Sequence, residues 1–67
     1  MTVIKIIELI GTSEKSWEDA VQDAVTEASK TIRNISGVHA INQTAEVKDG
    51  KIVNYKADVK IAFVVER

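Results

Sequence analysis

The longest amphipathic pattern in the sequence covers residues 12–35. Apolar side chains recur there at steps of three and four, the spacing that places them along one side of an α-helix. The pattern therefore predicts one helix with a continuous apolar stripe and a polar opposite face. The stripe consists of Trp17, Ala20, Val21, Ala24, Val25, Ala28, Ile32 and Ile35.

Polar residues mark both ends of this predicted helix. Ser16 and Asp19 have the spacing of a capping box, and Ser13 is a competing cap. The alanines in the middle of the stripe predict a close approach between the helix and its sheet, because small side chains let two backbones come together. The predicted stop signals are Asn34, Ser36 and Gly37.

Strand patterns occupy the chain on either side of the helix. Residues 3–10 are rich in β-branched side chains and carry apolar residues on both faces. Residues 37–48 form a weaker pattern, whereas residues 51–66 alternate cleanly and are expected to form the central strand. Asp49 and Gly50 between these two runs predict a hairpin with a type I′ turn.

The order of elements predicts an α+β fold of β-α-β-β type. If the helix makes a right-handed crossover that leaves room for strand three, the sheet has the order 1-3-2 and is antiparallel throughout. The helix packs on one face of this three-stranded sheet. The second apolar face of strand one is then predicted to be either a subunit contact or the wall of a ligand site.

Length and composition favour support from other subunits. A chain of 67 residues is expected to be a single domain over residues 1–67 and to bury only about 60% of its unfolded surface. With no Cys and one His, a single chain has neither a disulfide framework nor a zinc site, so self-association is the expected support.

Charge and hydropathy indicate where the protein acts and exclude two classes of partner. The formal net charge of -1 argues against non-specific nucleic-acid binding, which needs a basic face. The sequence contains neither a membrane-spanning stretch nor a signal-peptide pattern, so a cytoplasmic protein without a membrane partner is expected.

The candidate chemical residues are few, and no catalytic constellation indicates an enzyme. Trp17 is placed to stack on a planar ligand, although packing at the head of the apolar stripe is the favoured interpretation. His39 is a candidate base or metal ligand, and a surface or interface role is favoured. Asp19, Asp23 and Glu27 follow one helix face and offer a cation site if symmetry gathers several copies, although a solvated face is favoured.

Several motifs together resemble the dodecin family. The frame E-L-I-G-T-S-x-x-S-W-E-x-A covers residues 8–20, the turn D-G-K-I covers residues 49–52, and Y-K-A-D-V-K-I-A-F covers residues 55–63. The resemblance extends over almost the whole chain. It implies twelve copies that form a hollow shell, with flavins such as FMN or riboflavin held between subunits and stored without chemical conversion.

The resemblance also implies which residues contact the flavin. In flavin-binding dodecins a Trp at the start of strand two stacks on the ring system, and a Gln in strand three hydrogen-bonds its polar edge. Aligned without gaps, these positions fall on Gly37 and Lys56, and Gln43 is expected to line the remaining pocket. The alternative is a dodecin-like shell that binds a metal cation such as calcium, or no flavin, because both recognition residues are replaced.

Overall fold

The computed structural model describes residues 3–65, which form one helix and three strands. The elements are β1 (Val3–Ser13), α1 (Trp17–Ser29), β2 (Ile35–Lys48) and β3 (Lys51–Val65). The sheet has the order β1-β3-β2, and both neighbouring pairs are antiparallel. The predicted β-α-β-β fold and strand order are therefore confirmed.

The predicted helix is too long at its N-terminal end. Residues 11–13 belong to β1, where Gly11, Thr12 and Ser13 pair with β3. The helix begins only after Ser16, whose hydroxyl accepts a hydrogen bond from the Asp19 backbone N–H at 3.0 Å. Strand pairing competes successfully for these three residues because it satisfies backbone groups that a first helical turn leaves unpaired.

The predicted helix is also too long at its C-terminal end. The chain leaves the helix after Ser29, and the carbonyl of Ala28 accepts from the backbone N–H groups of both Thr31 and Ile32. Asn34 then takes a positive φ of 64°, so it reverses the chain five residues beyond the helix. β2 consequently starts at Ile35, earlier than the predicted residue 37.

The hairpin between β2 and β3 forms as predicted. Asp49 and Gly50 have φ values of 52° and 76°, the positive values that a type I′ turn requires at both central positions. Lys48 and Lys51 pair across the turn and fix the register. The predicted third strand included Glu66, which lies outside the described residues.

The core is a thin layer between α1 and the middle of the sheet. It is built from the predicted small residues of the helix and the inward-facing residues of β3, all at most 5% exposed. Because the helix contributes only alanines to the buried core, it lies close to the sheet. The buried residues are Ala20, Ala24, Ala28, Ala57, Val59 and Ile61.

Gly11 is the point of closest approach between β1 and the helix. A Cβ atom at Gly11 would overlap the backbone carbonyl oxygen of Ala20 and lie 3.0 Å from the Cβ atom of Ala24. The glycine is therefore required by the packing distance, and no positive φ is involved.

We expect Gly11→Ala to lower the free energy of unfolding by about 1–3 kcal/mol, because the added methyl group forces the helix away from β1. Urea unfolding at a fixed protein concentration measures the change. Gly37→Ala is the matched control, since a Cβ atom there meets nothing within 4 Å. Equal losses in the two variants would contradict this account of the packing.

Candidate functional site

The sheet has two faces of different character. α1 packs over the middle of β1 and β3, and it makes its fewest contacts with β2. We call the face in contact with α1 the helix side and the opposite face the outer face. Because side chains alternate along a strand, Ala57, Val59 and Ile61 lie on the helix side, and Lys56, Asp58 and Lys60 lie on the outer face.

Gly37 and Lys56 both lie on the outer face, but they are far apart along the strands. Gly37 pairs with Ala62, and Lys56 pairs with both Thr12 and Thr44. Ala62 and Lys56 are six positions apart along β3, which corresponds to about 20 Å at roughly 3.3 Å per residue. One chain therefore does not bring the two residues to a single small ligand, and only two neighbouring chains can do so.

Gln43 lies on the opposite side of the sheet from these two residues. It pairs with Ala57, which is fully buried under the helix. An irregularity in the pairing between Ala40 and Asn42 inserts one extra residue in β2 and changes which positions face the helix. The three predicted site residues consequently do not share one surface within a chain.

Gln43 instead lines a concave groove between α1 and β2. The groove has a volume of about 650 Å³, and its lining is mostly apolar with one carboxyl, one hydroxyl and two amide side chains. It exists because the helix is centred over the other two strands. Its lining residues are Ser16, Trp17, Glu18, Val21, Gln22, Val25, Val38 and Gln43.

Trp17 lines this groove and is held in place by two contacts. Its Nε1–H donates to the backbone carbonyl of Thr44 at 2.8 Å, which ties the helix N-terminus to β2. Its ring meets the ring of Tyr55 edge to face, with centroids 4.8 Å apart and an interplanar angle of 78°. Trp17 therefore packs against the sheet, as the favoured interpretation of the sequence expects.

The outer face does not fit a flavin stacked on a protein ring. The chain has one Trp, one Tyr and one Phe, and Trp17 and Tyr55 contact each other on the helix side. Phe63 pairs with Lys5 and with Ile35, which packs against the helix-side core. Within residues 3–65 the outer face thus carries no Trp, Tyr or Phe side chain, and a Cβ atom at Gly37 would meet nothing within 4 Å.

Two carboxyl groups meet on the outer face. Glu8 lies opposite Lys60, and Asp58 lies opposite Ile10, so the two acidic residues are diagonal neighbours on adjacent strands. A hydrogen bond with the Asp58 carboxyl group, its negative charge and partial desolvation raise the pKa of Glu8, and Lys60 opposes the shift. Sequence reasoning missed this pair because the two residues are fifty positions apart and only the strand register joins them.

The acidic residues of the helix do not form a metal site within one chain. Asp19 accepts a hydrogen bond from the Ser13 hydroxyl at 2.7 Å, and Glu27 forms an exposed ion pair with Lys30 at 2.6 Å. That contact raises the pKa of Lys30. Among residues 3–65 no group of three or more His, Cys, Asp or Glu side chains is arranged to hold a metal ion.

His39 lies exposed on β2 and pairs with Lys60. A neighbouring ammonium group is neither a metal ligand nor an acceptor that would orient an imidazole for base catalysis.

The single helix of the described chain is not long and apolar enough to cross a membrane.

Comparison with known proteins identifies the fold. The family model described as Dodecin matches residues 3–66. The calcium dodecin of Mycobacterium tuberculosis is 33% identical over 63 residues, which cover 94% of this chain and 89% of that protein. The dodecin of Thermus thermophilus is 30% identical over 64 residues, which cover 96% of this chain and 93% of that protein.

Solved structures agree with the sequence matches. The dodecin from Streptomyces coelicolor superposes with a TM-score of 0.95 at 27% identity, over 98% of this chain and 94% of the other. A crystal structure of the Mycobacterium tuberculosis calcium dodecin, described as calcium-chelating, gives a TM-score of 0.83 at 35% identity, over 96% and 91% of the two chains. On the evidence of its strand order, its helix and the match over nearly its full length, this chain belongs to the dodecin family.

Proposed function

We propose that this protein is a non-enzymatic binding protein whose chains assemble into a hollow dodecameric shell and sequester a small ligand between subunits. The family membership supports the shell, and the exposed apolar residues of β1 are the observation that carries it. Ile4, Ile6 and Ile10 are 61%, 61% and 67% exposed, and all three lie on the outer face.

This exposure is too large to be left uncovered in a protein of this size. Full burial of one Ile side chain stabilises a contact by roughly 1.5–3 kcal/mol. Three such side chains lie in one row along an edge strand, where Glu8 separates Ile6 from Ile10. Exposed apolar surface of this kind on an edge strand is typical of an interface between subunits.

We expect Ile6→Lys to break the shell, because a charged group would have to lose its water at every copy of the contact. Light scattering of the unchanged protein should give the mass of twelve 7.4 kDa chains, and the variant should give a much smaller mass. Thr31→Lys, at an exposed position beyond the helix, is the control that adds the same charge. A monomeric mass for the unchanged protein would contradict the proposed shell.

A flavin is the first ligand to consider, since the family resemblance implies it. In a shell, Gly37 of one chain and Lys56 of another chain would have to line the same contact, because one chain holds them about 20 Å apart. Lys56 donates hydrogen bonds but does not accept them, so it contacts only the acceptor atoms of a flavin edge. Without a stacking ring, we expect this protein to bind flavin more weakly than a dodecin that has one.

We expect Gly37→Trp to tighten the binding of FMN by roughly two- to tenfold for each ring restored, from about 0.5–1.5 kcal/mol of stacking. Within one chain a Cβ atom at Gly37 meets nothing within 4 Å, so the substitution does not disturb the packing of the subunit itself. Quenching of flavin fluorescence during titration with protein measures the change. Gly37→Leu is the control, because it adds apolar area without a π-system. If the Leu variant gained as much as the Trp variant, stacking would not be the missing contact.

Calcium is the second candidate ligand, favoured by the similarity to a relative named calcium dodecin. Calcium requires six to eight oxygen ligands, and no group of three acidic side chains converges within residues 3–65. A calcium site in this protein would therefore be built from several chains.

We expect calcium to bind only to the assembled protein, with an affinity at least tenfold higher than that for magnesium, which demands a tighter octahedral set of ligands. Calorimetric titration of the unchanged protein and of the dissociated Ile6→Lys variant tests both points. Undiminished calcium binding by the dissociated variant would place the site within one chain and contradict the expectation.

A further inference from the structure

The carboxyl pair of Glu8 and Asp58 lies inside the surface that the shell would cover. On β1, Glu8 is flanked on the same outer face by Ile6 and Ile10, two of the most exposed apolar side chains of the protein. Asp58 sits between Ile10 of β1 and Asn42 of β2 in the register of the sheet. A subunit that covers the isoleucines therefore also covers the acidic pair.

Even in the single chain, one oxygen of the Asp58 carboxyl group lacks a hydrogen-bond partner among the described residues. This atom, Oδ1, is buried. The carboxyl group of Asp58 lies diagonally across from that of Glu8 on the adjacent strand and raises the pKa of Glu8. Two ionised carboxylates are acceptors only, so Glu8 supplies the partner that Asp58 lacks only when one of the two groups carries a proton.

The other charged groups on this face do not neutralise the pair completely. β3 contributes Lys56 and Lys60, and β2 contributes His39 and Glu46, while Glu8 is the single charged residue of β1 on this face among the described residues. Lys60 lies between Glu8 and His39 in one row across the sheet. It lowers the pKa of Glu8, but less than Asp58 raises it. The helix packs on the opposite face and adds no charge here.

We propose that Glu8 and Asp58 share one proton in the assembled protein, so that assembly of the shell is linked to pH. This inference rests on the proposed shell. Covering the pair removes water from both carboxyl groups, and a doubly ionised pair is then destabilised by desolvation and by repulsion. The singly protonated pair satisfies both groups with a short internal hydrogen bond.

The direction of the pH dependence follows from the sign of the shift. The pKa of Glu8 is raised above its ordinary value of 4.5, so the folded chain holds the proton more tightly than the unfolded chain does. The contribution of the bound proton to the stability of the folded chain is fully present at acidic pH. It is lost as the pH rises through the raised pKa of Glu8. In the shell, covering the pair would raise the pKa of Glu8 further, so association weakens by roughly tenfold per pH unit for each subunit between the pKa of Glu8 in the free chain and its higher pKa in the shell.

Sedimentation of the full chain in a moderate urea concentration, from about pH 5 to about pH 9, tests the linkage. The unchanged protein should lose the shell as the pH rises. Glu8→Gln removes one ionisable group and keeps a hydrogen-bond donor for Asp58, so its assembly should be nearly independent of pH. Asp58→Asn should behave in the same way. The exposed position of Glu8 makes the first variant the safer one for folding.

Two controls separate the pair from other titrating groups. His39→Gln removes the imidazole group that lies beside Lys60 on this face, and it should retain the pH dependence of the unchanged protein. Glu14→Gln changes an exposed acid away from the outer-face pair and should also retain it.

Each outcome decides the inference. A pH dependence in Glu8→Gln equal to that of the unchanged protein would overturn it, and so would loss of the dependence in His39→Gln. A shell that is insensitive to pH in every variant would overturn the proton linkage alone. Monomers at every pH in every variant would overturn the shell as well.

Discussion

The structure depends on a mismatch in length between the helix and the sheet that it covers. The 13 residues of α1 span about 20 Å, whereas the 15 residues of β3 span about 50 Å. The described chain is accordingly 52 Å long and only 13 Å thick. A helix of this length buries the middle of three strands and leaves their ends and their whole outer face without cover. In the proposed shell, neighbouring chains would supply the contacts that these surfaces lack.

The same mismatch explains the distribution of residue types. Small side chains occupy the short stretch where the helix meets the sheet, because Gly11 and the alanines set a close approach between the two layers. Large aliphatic side chains are found where no part of the same chain covers them, on the outer face of β1. This distribution is the one expected of a chain that packs against its neighbours in the proposed shell.

The sequence predicted the elements better than their ends, and the site less well than the fold. Periodicity identifies the strands and the helix because it reflects burial, and the Asp49-Gly50 pair fixes its turn through local backbone geometry. The helix limits were wrong because residues 11–13 have both a capping pattern and a strand partner, and only the tertiary structure decides between them. The face on which Gln43 lies depends on one extra residue in β2, and that irregularity has no sequence signal.

The position of Trp17 gives the protein a built-in optical reporter. It is the single tryptophan of the chain, and its indole is held on the helix side by the Thr44 carbonyl and the edge of the Tyr55 ring. Emission from this residue therefore describes the junction between the helix N-terminus and β2. A ligand that binds at the outer face does not stack on this indole, so any change in its emission spectrum measures a disturbance transmitted through the thickness of the sheet. Intrinsic fluorescence can thus distinguish a rigid subunit from one that deforms when its outer face is occupied.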